Sequence, residues 1–415
     1  MADSGAAHPK AILRGHKSQV HVARFVHNNE RLVTGDAEGF LVVWDLTIMR
    51  PRAVWRAHQK TILGVEEWGP ERLVTHGRDN ELIVWKFTAG EEAGYSQALP
   101  LDGVPDTRPK PWIQHILPVN AMNFCAFAMA PCRAGISIAE ASEVLISTPN
   151  AIHLEGLDIY HLPSQARLHT LKPVPGAGMP MALSLFHRDG GLHLIAAYEN
   201  GAAVVLRANL DAGAWTTLYK NQSHSQPILS FDVSPCLTYF VTSAASAVIA
   251  KHPIPREPGE DDAPGKEKQT ATAASTEEHE AASTPLKSVN TKHAGQQSLR
   301  IRSDGSIFAT AGWDSKVRVY SAKSLKEVAV LKWHQSGCFS VAFADVGSRQ
   351  PSTTPTKSGE ETTEPPNSGS SSVVRTQAGA PAYFNVKDRR IQQAREAHWI
   401  AAGSKDGKVS LWDIY

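Results

Sequence analysis

The sequence predicts an all-β fold, a seven-bladed propeller closed on itself, and three observations lead to it. A twelve-residue segment, two strands around an acidic turn, recurs along the chain. In three copies a histidine stands 27 or 28 residues before the aromatic residue that ends the segment. An apolar stretch, residues 10–16, precedes the first copy and has no copy of its own. We therefore expect a single ring-shaped domain over residues 10–415.

The recurring segment has the pattern of a β-hairpin. Its best copies lie at residues 34–45, 75–86, 310–321 and 402–413. Their apolar residues alternate with the period of a half-buried strand, and Gly, Asp and Asn at the centre suit a tight turn. A histidine start and a Trp-Asp end, repeated every 40–45 residues or so, are typical of WD40 repeats.

Three weaker units follow the same phase, and they bring the count to seven. They lie near residues 150–162, 195–206 and 241–252. The predicted ends of the third strands are Trp44, Trp85, Tyr160, Leu206, Lys251, Tyr320 and Trp412. Seven units fall within the usual range of about four to eight blades.

Three stretches are longer than a blade requires. Residues 88–112 are predicted to be a loop insertion. Residues 256–291 and 347–380 are rich in Ser, Thr, Pro and charged or small residues. Such segments bury too little apolar surface to offset the entropy of ordering, so we expect two disordered insertions.

The two ends of the chain are predicted to meet. Tyr415 follows directly on the third strand of the last blade, which leaves that blade without an outer strand. Ala11, Ile12 and Leu13 are apolar enough to supply it. Pairing of this N-terminal strand with the last blade closes the ring and removes open sheet edges that invite aggregation.

Composition argues against several functional classes. Lys and Arg number 42 against 41 Asp and Glu, a balance that does not favour direct nucleic-acid binding. The four cysteines form no CxxC pair, so their spacing indicates neither a zinc site nor a redox motif. We expect no signal peptide, no membrane span and a reducing compartment. Phosphate-loop, zincin and serine-hydrolase motifs are lacking, so no catalysis, cofactor or small-molecule substrate is expected.

Polar residues that recur at fixed spacing within the repeats are predicted to be structural. In a WD40 repeat, His, Ser or Thr, an acid and Trp form a buried chain of hydrogen bonds that satisfies all four groups. A catalytic triad needs an accessible nucleophile instead. The predicted sets are His16, Thr34, Glu38 and Trp44; His58, Thr75, Asp79 and Trp85; His293, Thr310, Asp314 and Tyr320; and the incomplete set of His334, Asp406 and Trp412, with Ala402 at the hydroxyl position.

A different set of positions is predicted to face partners. The residue before each turn acid points onto the narrow top rim, and these residues are Ala37, Arg78, Glu199, Trp313 and Lys405. Arg and Trp are favoured anchors of protein interfaces, so Arg78 and Trp313 lead the candidates. Two plainer interpretations stay open: Trp313 packs over its own blade, or Arg78 makes a surface ion pair of little energy.

The terminal blades resemble a known family. The segments LRGHKSQVHVARF, RLVTGDAEGFLVVWD and RLVTHGRDNELIVWKF within residues 12–87, and HWIAAGSKDGKVSLWDIY at residues 398–415, are similar to the fungal ASTRA-associated WD40 proteins. They also look like the animal G-protein β-subunit-like WD40 protein. The resemblance implies a nuclear subunit of the ASTRA assembly, linked to chromatin remodelling and to maturation of phosphatidylinositol-3-kinase-related kinases. His76 stands where a generic repeat has Gly, so His76 joins Arg78 among the interface candidates.

The sequence therefore predicts a non-catalytic scaffold whose partners are other protein subunits, without direct binding to nucleic acid or membrane. Two alternatives remain open, a G-protein β-like signalling adaptor and a ubiquitin-ligase substrate receptor. The first usually needs an N-terminal coiled coil, for which few residues are present before the first repeat. A propeller enzyme would need polar residues converging on the central channel.

Overall fold

Seven four-stranded antiparallel sheets are arranged around a central channel. The computed structural model describes residues 8–103, 108–120, 124–209, 213–256, 283–346 and 385–414. Each sheet is one blade; contacts between innermost strands connect most successive blades, and a shared apolar cluster connects blades 2 and 3. The predicted seven-bladed propeller is confirmed.

The strands follow one another from the channel outwards in each blade. The first strand, β1 (Ala11–Arg14), belongs to the last blade. Blade 1 consists of β2 (Val20–Val26), β3 (Arg31–Asp36), β4 (Phe40–Asp45) and β5 (Arg50–Arg56); blade 2 of β6 (Ile62–Glu67), β7 (Arg72–Gly77), β8 (Glu81–Lys86) and β9 (Trp112–Pro118); blade 3 of β10 (Ala128–Pro131), β11 (Val144–Pro149), β12 (Leu157–Leu162) and β13 (Ala166–Leu171); and blade 4 of β14 (Pro180–Arg188), β15 (Gly191–Tyr198), β16 (Ala202–Asn209) and β17 (Ala214–Gln222).

The remaining blades follow the same order. Blade 5 consists of β18 (Ile228–Val233), β19 (Tyr239–Ala244), β20 (Val248–Pro253) and β21 (Lys287–Asn290); blade 6 of β22 (Gln296–Ile301), β23 (Ile307–Gly312), β24 (Lys316–Ser321) and β25 (Glu327–Lys332); and blade 7 of β26 (Cys338–Phe343), β27 (Trp399–Ser404), β28 (Lys408–Asp413) and β1. A helix that the sequence did not predict, α1 (Val386–Glu396), precedes β27. None of the described helices is long and apolar enough to cross a membrane.

The ring is closed as predicted. Strand β1 pairs antiparallel with β28, from Ala11 opposite Leu411 to Arg14 opposite Lys408. Leu13 is buried in a cluster that also contains Val20 of blade 1 and Leu411 of blade 7. Burial of one such aliphatic side chain contributes about 1.5–3 kcal/mol. Hydrogen bonds and apolar packing therefore both join the last blade to the first.

The inner strands carry a bulge at their upper ends. In six of the seven blades the register shifts by one residue near the start of the innermost strand. A bulge re-aims the extra residue, and here that residue lines the channel mouth. The six residues are His21, Leu63, Met181, Leu229, Gln297 and Phe339.

The insertion predicted at residues 88–112 reaches into β9 at Trp112, and its residues 88–103 form a strap across blade 1. It contains two short 3₁₀ turns, Glu92–Gly94 and Pro100–Asp102. The amide of Val54 on the outer strand β5 donates to the carbonyl of Ser96. The strap therefore covers part of an edge that would otherwise present unpaired backbone groups.

A buried carboxylate fastens this strap. Glu92 is 0% exposed and accepts hydrogen bonds from Arg31 Nε at 2.9 Å and from Arg52 Nε at 3.1 Å. Tyr95 of the strap lies over Trp55 and Phe87. Two guanidinium groups and an aromatic contact thus hold residues that the sequence identified merely as a loop.

The other two predicted insertions fall largely outside the described residues. Residues 257–282 and the whole of 347–380 are not described. The range predicted to be the insertion 256–291 also contains the outer strand β21, which pairs with β20 from Val248 opposite Asn290 to Lys251 opposite Lys287. Blade 5 therefore takes its fourth strand from the end of that range.

Candidate partner-binding surface

Blade 2 holds the four residues that the repeat spacing predicts. His58 Nδ1 lies 2.9 Å from Asp79 Oδ1, and its Nε2 lies 2.7 Å from Thr75 Oγ1. Trp85 Nε1 donates to the same hydroxyl at 2.9 Å. Burial favours the neutral form of Asp79, but hydrogen bonds from His58 and from the Gln59 amide outweigh it and lower the pKa of Asp79. The chain of hydrogen bonds fixes the turn between β7 and β8.

In blade 1 the predicted acid is wrong. Asp36, not Glu38, lies 2.8 Å from His16 Nδ1, whereas His16 Nε2, Thr34 and Trp44 are joined as predicted. Glu38 is exposed. Asp36 stands at the inward end of β3 and also accepts the Glu38 and Phe40 amides. Asp36 and Glu38 are both close in sequence to this position, and Asp36, at the end of β3, is the acid that reaches the imidazole of His16.

Blade 6 replaces the predicted histidine by an arginine. Arg318 is 2% exposed and makes two hydrogen bonds to Asp314, at 2.6 and 3.1 Å, while the side chain of His293 takes no part in the set. Arg318 lies opposite Thr310, at the position that Val42 occupies opposite Thr34 in blade 1. Its long side chain fills the space of the ring. Burial opposes ionisation of Asp314, but Arg318 lowers the pKa of this carboxyl.

Blade 7 supplies the missing hydroxyl from the neighbouring strand. Ser410 Oγ lies 2.8 Å from His334 Nε2 and accepts Trp412 Nε1 at 2.9 Å. Ser410 lies opposite Ala402, which has no hydroxyl to offer. Asp406 is 3.8 Å from His334 Nδ1, so the acid is only loosely associated. Blades 6 and 7 therefore use the same third-strand position for a substitute polar group.

Blade 5 contains a further hydrogen-bond set that the sequence analysis missed, because it placed the end of the third strand one residue too early. The sequence placed the third-strand end at Lys251, but His252 lies opposite Phe240 as Trp44 lies opposite Leu32. His224 Nε2 and His252 Nε2 lie 2.8 and 3.0 Å from Thr242 Oγ1. Tyr219 closes the chain at 2.8 Å from His252 Nδ1. The spacing of 28 residues from His224 to His252, equal to that from His16 to Trp44, was the available signal.

The buried histidines of blade 5 predict a loss of stability in acid. Burial lowers the pKa of His224 to about 4 and that of His252 to about 3. The folded pKa lies below the unfolded value of about 6.5, so the unfolded chain binds more protons below that pH. The free energy of unfolding should fall by about 1.4 kcal/mol per pH unit for each such group as the pH decreases from 6.5 towards 4.

Denaturant titrations at several pH values measure this slope. The variant His252→Gln removes one titrating ring but keeps polar atoms in its place. Whatever the stability of this variant at pH 7.5, its free energy of unfolding should change less steeply with pH than that of the wild type. Between pH 6.5 and 5 the two slopes should differ by about 1.4 kcal/mol per pH unit. Equal slopes for the two proteins would contradict burial of a neutral His252.

The residues predicted for the top rim occupy equivalent places. The backbone amides of Ala37, Arg78, Glu199, Trp313 and Lys405 each donate to a carbonyl just before an inner strand. The five residues therefore lie on one face of the ring, at the hairpin turns. Glu199 and Lys405 are exposed, whereas Ala37 and Arg78 are half-buried.

His76 is not an interface residue in this structure. It is fully buried, lies opposite Gly64 on the inner strand and contacts Phe127 of blade 3 edge-on. Burial lowers its pKa to about 3, so the ring is neutral. The side chain fills the space between blades 2 and 3 that Gly64 leaves open. This corrects the expectation drawn from its unusual position in the turn.

Arg78 is part of an aromatic stack at the channel mouth. Its guanidinium lies 4.4 Å from the ring centre of Phe124. The ring of His21 stacks on Phe124 and on Phe339, with centroids 6.5 and 5.3 Å apart. Phe124 is 52% exposed, so the stack is open to a partner. We call these four residues the mouth cluster; the sequence identified Arg78 alone among them.

Trp313 lies farther round the same face. Its ring packs flat over Gly295, where a Cβ would approach to 2.2 Å, and Nε1 donates to Gln297 Oε1 at 2.9 Å. The ring is nevertheless 49% exposed. Packing over its own blade and presenting a surface are therefore compatible for this residue. A tryptophan held in one orientation loses little entropy on binding.

The channel below the mouth cluster encloses a cavity of about 440 Å³. Four of its charged side chains, those of Arg24, Glu66, Asp232 and Arg300, contact one another or the backbone. Arg24 and Glu66 form an ion pair at 2.8 Å. Asp232 accepts the amides of Val233 and Ile301, although burial raises its pKa more than Arg300 lowers it. These contacts join neighbouring blades.

The fold and these hydrogen-bond sets define a WD40-repeat propeller. The family model described as "WD domain, G-beta repeat" matches residues 7–45, 284–321 and 393–413. These stretches include the closing strand β1 and the first three strands of blade 1.

Relatives of nearly full length identify the family within this class. The "ASTRA-associated protein 1" of Verticillium alfalfae is 48% identical, over 98% of this chain and 93% of the relative. That of Pyricularia oryzae is 44% identical, over 99% and 97%. The Schizosaccharomyces pombe protein is 33% identical, over 81% and 93%. The chain belongs to the ASTRA-associated protein 1 family.

Proposed function

We propose that this chain is a non-catalytic scaffold subunit of an ASTRA-type assembly, and that its top face contacts another protein subunit. The observation that carries the site is the mouth cluster, with Trp313 beside it. Exposed aromatic rings and an arginine, held rigidly on one face of a ring, have the composition of interface anchors. Membership of the ASTRA-type assembly is inferred from the family to which the chain belongs.

Three features support a binding role over catalysis. The described His, Thr and Asp sets are buried and hydrogen-bonded within blades. The ion pair of Arg24 with Glu66 joins blade 1 to blade 2. The Asp232 carboxylate accepts hydrogen bonds from two backbone amides, which hold it in place. The charges of the rim are mixed, with Lys405 and Glu199 both exposed. We infer a protein partner, without direct contact to nucleic acid or membrane.

We further propose a nuclear location and the roles that the family resemblance implies, in chromatin remodelling and in maturation of phosphatidylinositol-3-kinase-related kinases. The support is the family membership. Cell fractionation followed by detection of the endogenous protein tests the location. Predominantly cytosolic protein would contradict it.

The decisive experiment is purification of the tagged endogenous protein from nuclear and cytosolic extracts, with identification of co-purifying proteins. We expect the other ASTRA subunits in the wild-type sample. The double variant Arg78→Ala, Trp313→Ala should lose most of at least one of them, because each interface anchor typically contributes about 2 kcal/mol or more, roughly 30-fold in affinity.

A matched control separates the site from general damage. Arg50→Ala with Trp112→Ala removes an exposed arginine and an exposed tryptophan from outer strands β5 and β9, and should leave binding unchanged. Equal loss in both double variants would place the site elsewhere. Recovery of G-protein γ-like or ubiquitin-ligase subunits instead would favour an alternative adaptor role.

A further inference from the structure

Blade 3 brings together three side chains that are distant in sequence. Cys132 follows β10, Glu143 precedes β11, and the Cys132 amide donates to the Glu143 carbonyl at 3.1 Å. His161 on β12 lies opposite Leu145 of β11. One ligand atom from each side chain lies within 4.8 Å of the other two. The cysteine spacing gives no sign of this cluster, because sheet pairing alone assembles it.

The orientation of His161 leaves one ring nitrogen available. Nδ1 lies 2.6 Å from Ser164 Oγ, which also accepts the Ala166 amide. In the tautomer in which Nδ1 donates a hydrogen bond to Ser164 Oγ, the lone pair of the neutral ring lies on Nε2. A ring fixed through its other nitrogen is the usual arrangement of a metal-binding histidine.

Among the described residues, Nε2 faces the Glu143 carboxylate without a hydrogen bond between them. Nε2 is 3.9 Å from Glu143 Oε2, which is too long for a hydrogen bond. As an exposed ion pair it would contribute little. In tetrahedral zinc coordination such ligand atoms lie about 3.3–3.6 Å apart. The Glu143 side chain is 49% exposed and thus has room for the small movement required.

The donor set selects the metal. Thiolate, imidazole and carboxylate are the three ligand types that bind Zn²⁺, whereas Ca²⁺ and Mg²⁺ prefer oxygen alone. We propose that Cys132, Glu143 and His161 form a Zn²⁺-binding site on blade 3, with solvent as the fourth ligand. This site is separate from the top face and does not depend on the proposed function.

Metal binding must displace the proton of the Cys132 thiol. Burial, followed by the charge of Glu143, raises the pKa of Cys132, against a smaller effect of Arg133. The metal-free thiol is therefore protonated at neutral pH. Binding forms the sulfur–zinc bond, breaks the S–H bond and transfers the proton to solvent, so affinity increases with pH.

A second cluster of potential metal ligands has no available histidine nitrogen. His58, Asp79 and Glu81 also lie close together, but both ring nitrogens of His58 are engaged, by Asp79 and by Thr75. The His58 ring therefore has no free nitrogen to offer to a cation there. Cys236, an exposed thiol in blade 5, contacts the hydroxyls of Ser234 and Thr238. It serves as the control cysteine.

The full-length chain, freed of metal by a chelator, is titrated with Co²⁺ and then with Zn²⁺. We expect one equivalent of Co²⁺ to produce a thiolate-to-cobalt charge-transfer band that Zn²⁺ abolishes. Cys132→Ser should remove the band. His161→Gln and Glu143→Gln should each weaken Zn²⁺ binding by about tenfold or more, and Ser164→Ala by about tenfold, since it orients the ring.

Controls make either outcome informative. Cys236→Ser and the exposed His153→Gln should leave the band and the affinity unchanged. The metal-free Tm of Cys132→Ser should match that of the wild type, and Zn²⁺ should raise the wild-type Tm alone. A wild-type protein that gives no charge-transfer band, or a band that survives Cys132→Ser, would overturn the proposal.

Discussion

Replacing Asp314 with alanine is expected to lower the free energy of unfolding by about 3 kcal/mol. Arg318 is almost completely buried, and Asp314 is the carboxylate that it contacts at 2.6 Å. Removal of one partner leaves a buried charge uncompensated, which typically costs 3–5 kcal/mol or so. Glu327 remains 3.4 Å from Arg318 Nε, and we therefore expect the lower end of that range.

Denaturant unfolding of three variants tests this interpretation. Asp406→Ala removes the equivalent turn acid of blade 7, whose partner Lys408 is a half-buried lysine at 2.9 Å, and should cost less than about 1 kcal/mol. Arg318→Val restores the apolar residue found at this position in blade 1. In the Asp314→Ala background it should recover most of the lost stability, since no buried charge remains. A cost for Asp314→Ala no greater than that for Asp406→Ala would refute the argument.

The variant Glu92→Ala is expected to cost a similar amount, about 3 kcal/mol, and to release the strap. Arg31 and Arg52 both donate to the fully buried Glu92 carboxylate, so its loss leaves two guanidinium groups without their shared partner. Arg31 retains Asp45 at 3.4 Å, which limits the effect. The freed strap should also uncover the edge of β5.

Unfolding and hydrogen exchange report the two consequences separately. The Val54 amide, which donates to Ser96, should exchange faster in Glu92→Ala. Glu91→Ala is the matched control, because Glu91 is its half-exposed neighbour and pairs with Lys86 at 3.9 Å. That change should cost no more than about 0.5 kcal/mol and leave the Val54 amide protected. Equal effects at positions 91 and 92 would show that the strap is not fastened by Glu92.

The hydrogen-bond sets show where prediction from a repeat succeeds and fails. The set of His58, Thr75, Asp79 and Trp85 was predicted whole, because each residue type stands at its usual position. In blade 1 the correct acid was decided by which side chain the strand end directs inwards. In blades 6 and 7, Arg318 and Ser410 come from the third strand, and sequence spacing along a single strand carries no information about a group supplied from across the sheet.

The same distinction applies to the surface. The phase of the hairpins places Arg78, Trp313 and Lys405 on one face, and the structure adds Phe124, His21 and Phe339 through bulges and loops that no spacing reveals. His76 was misassigned since its exposure depends on Gly64 of the neighbouring strand and on Phe127 of the next blade.

The sequence by itself determined the number of blades, the phase of the strands and the closing role of residues 11–14. These follow from local periodicity and from turn residues, which act over a few positions. The tertiary structure alone decided which acid meets His16, which residue replaces a missing ring or hydroxyl, how Glu92 fastens the strap and how Cys132 meets His161. Each of these depends on distances between strands or blades, and tertiary packing sets those distances.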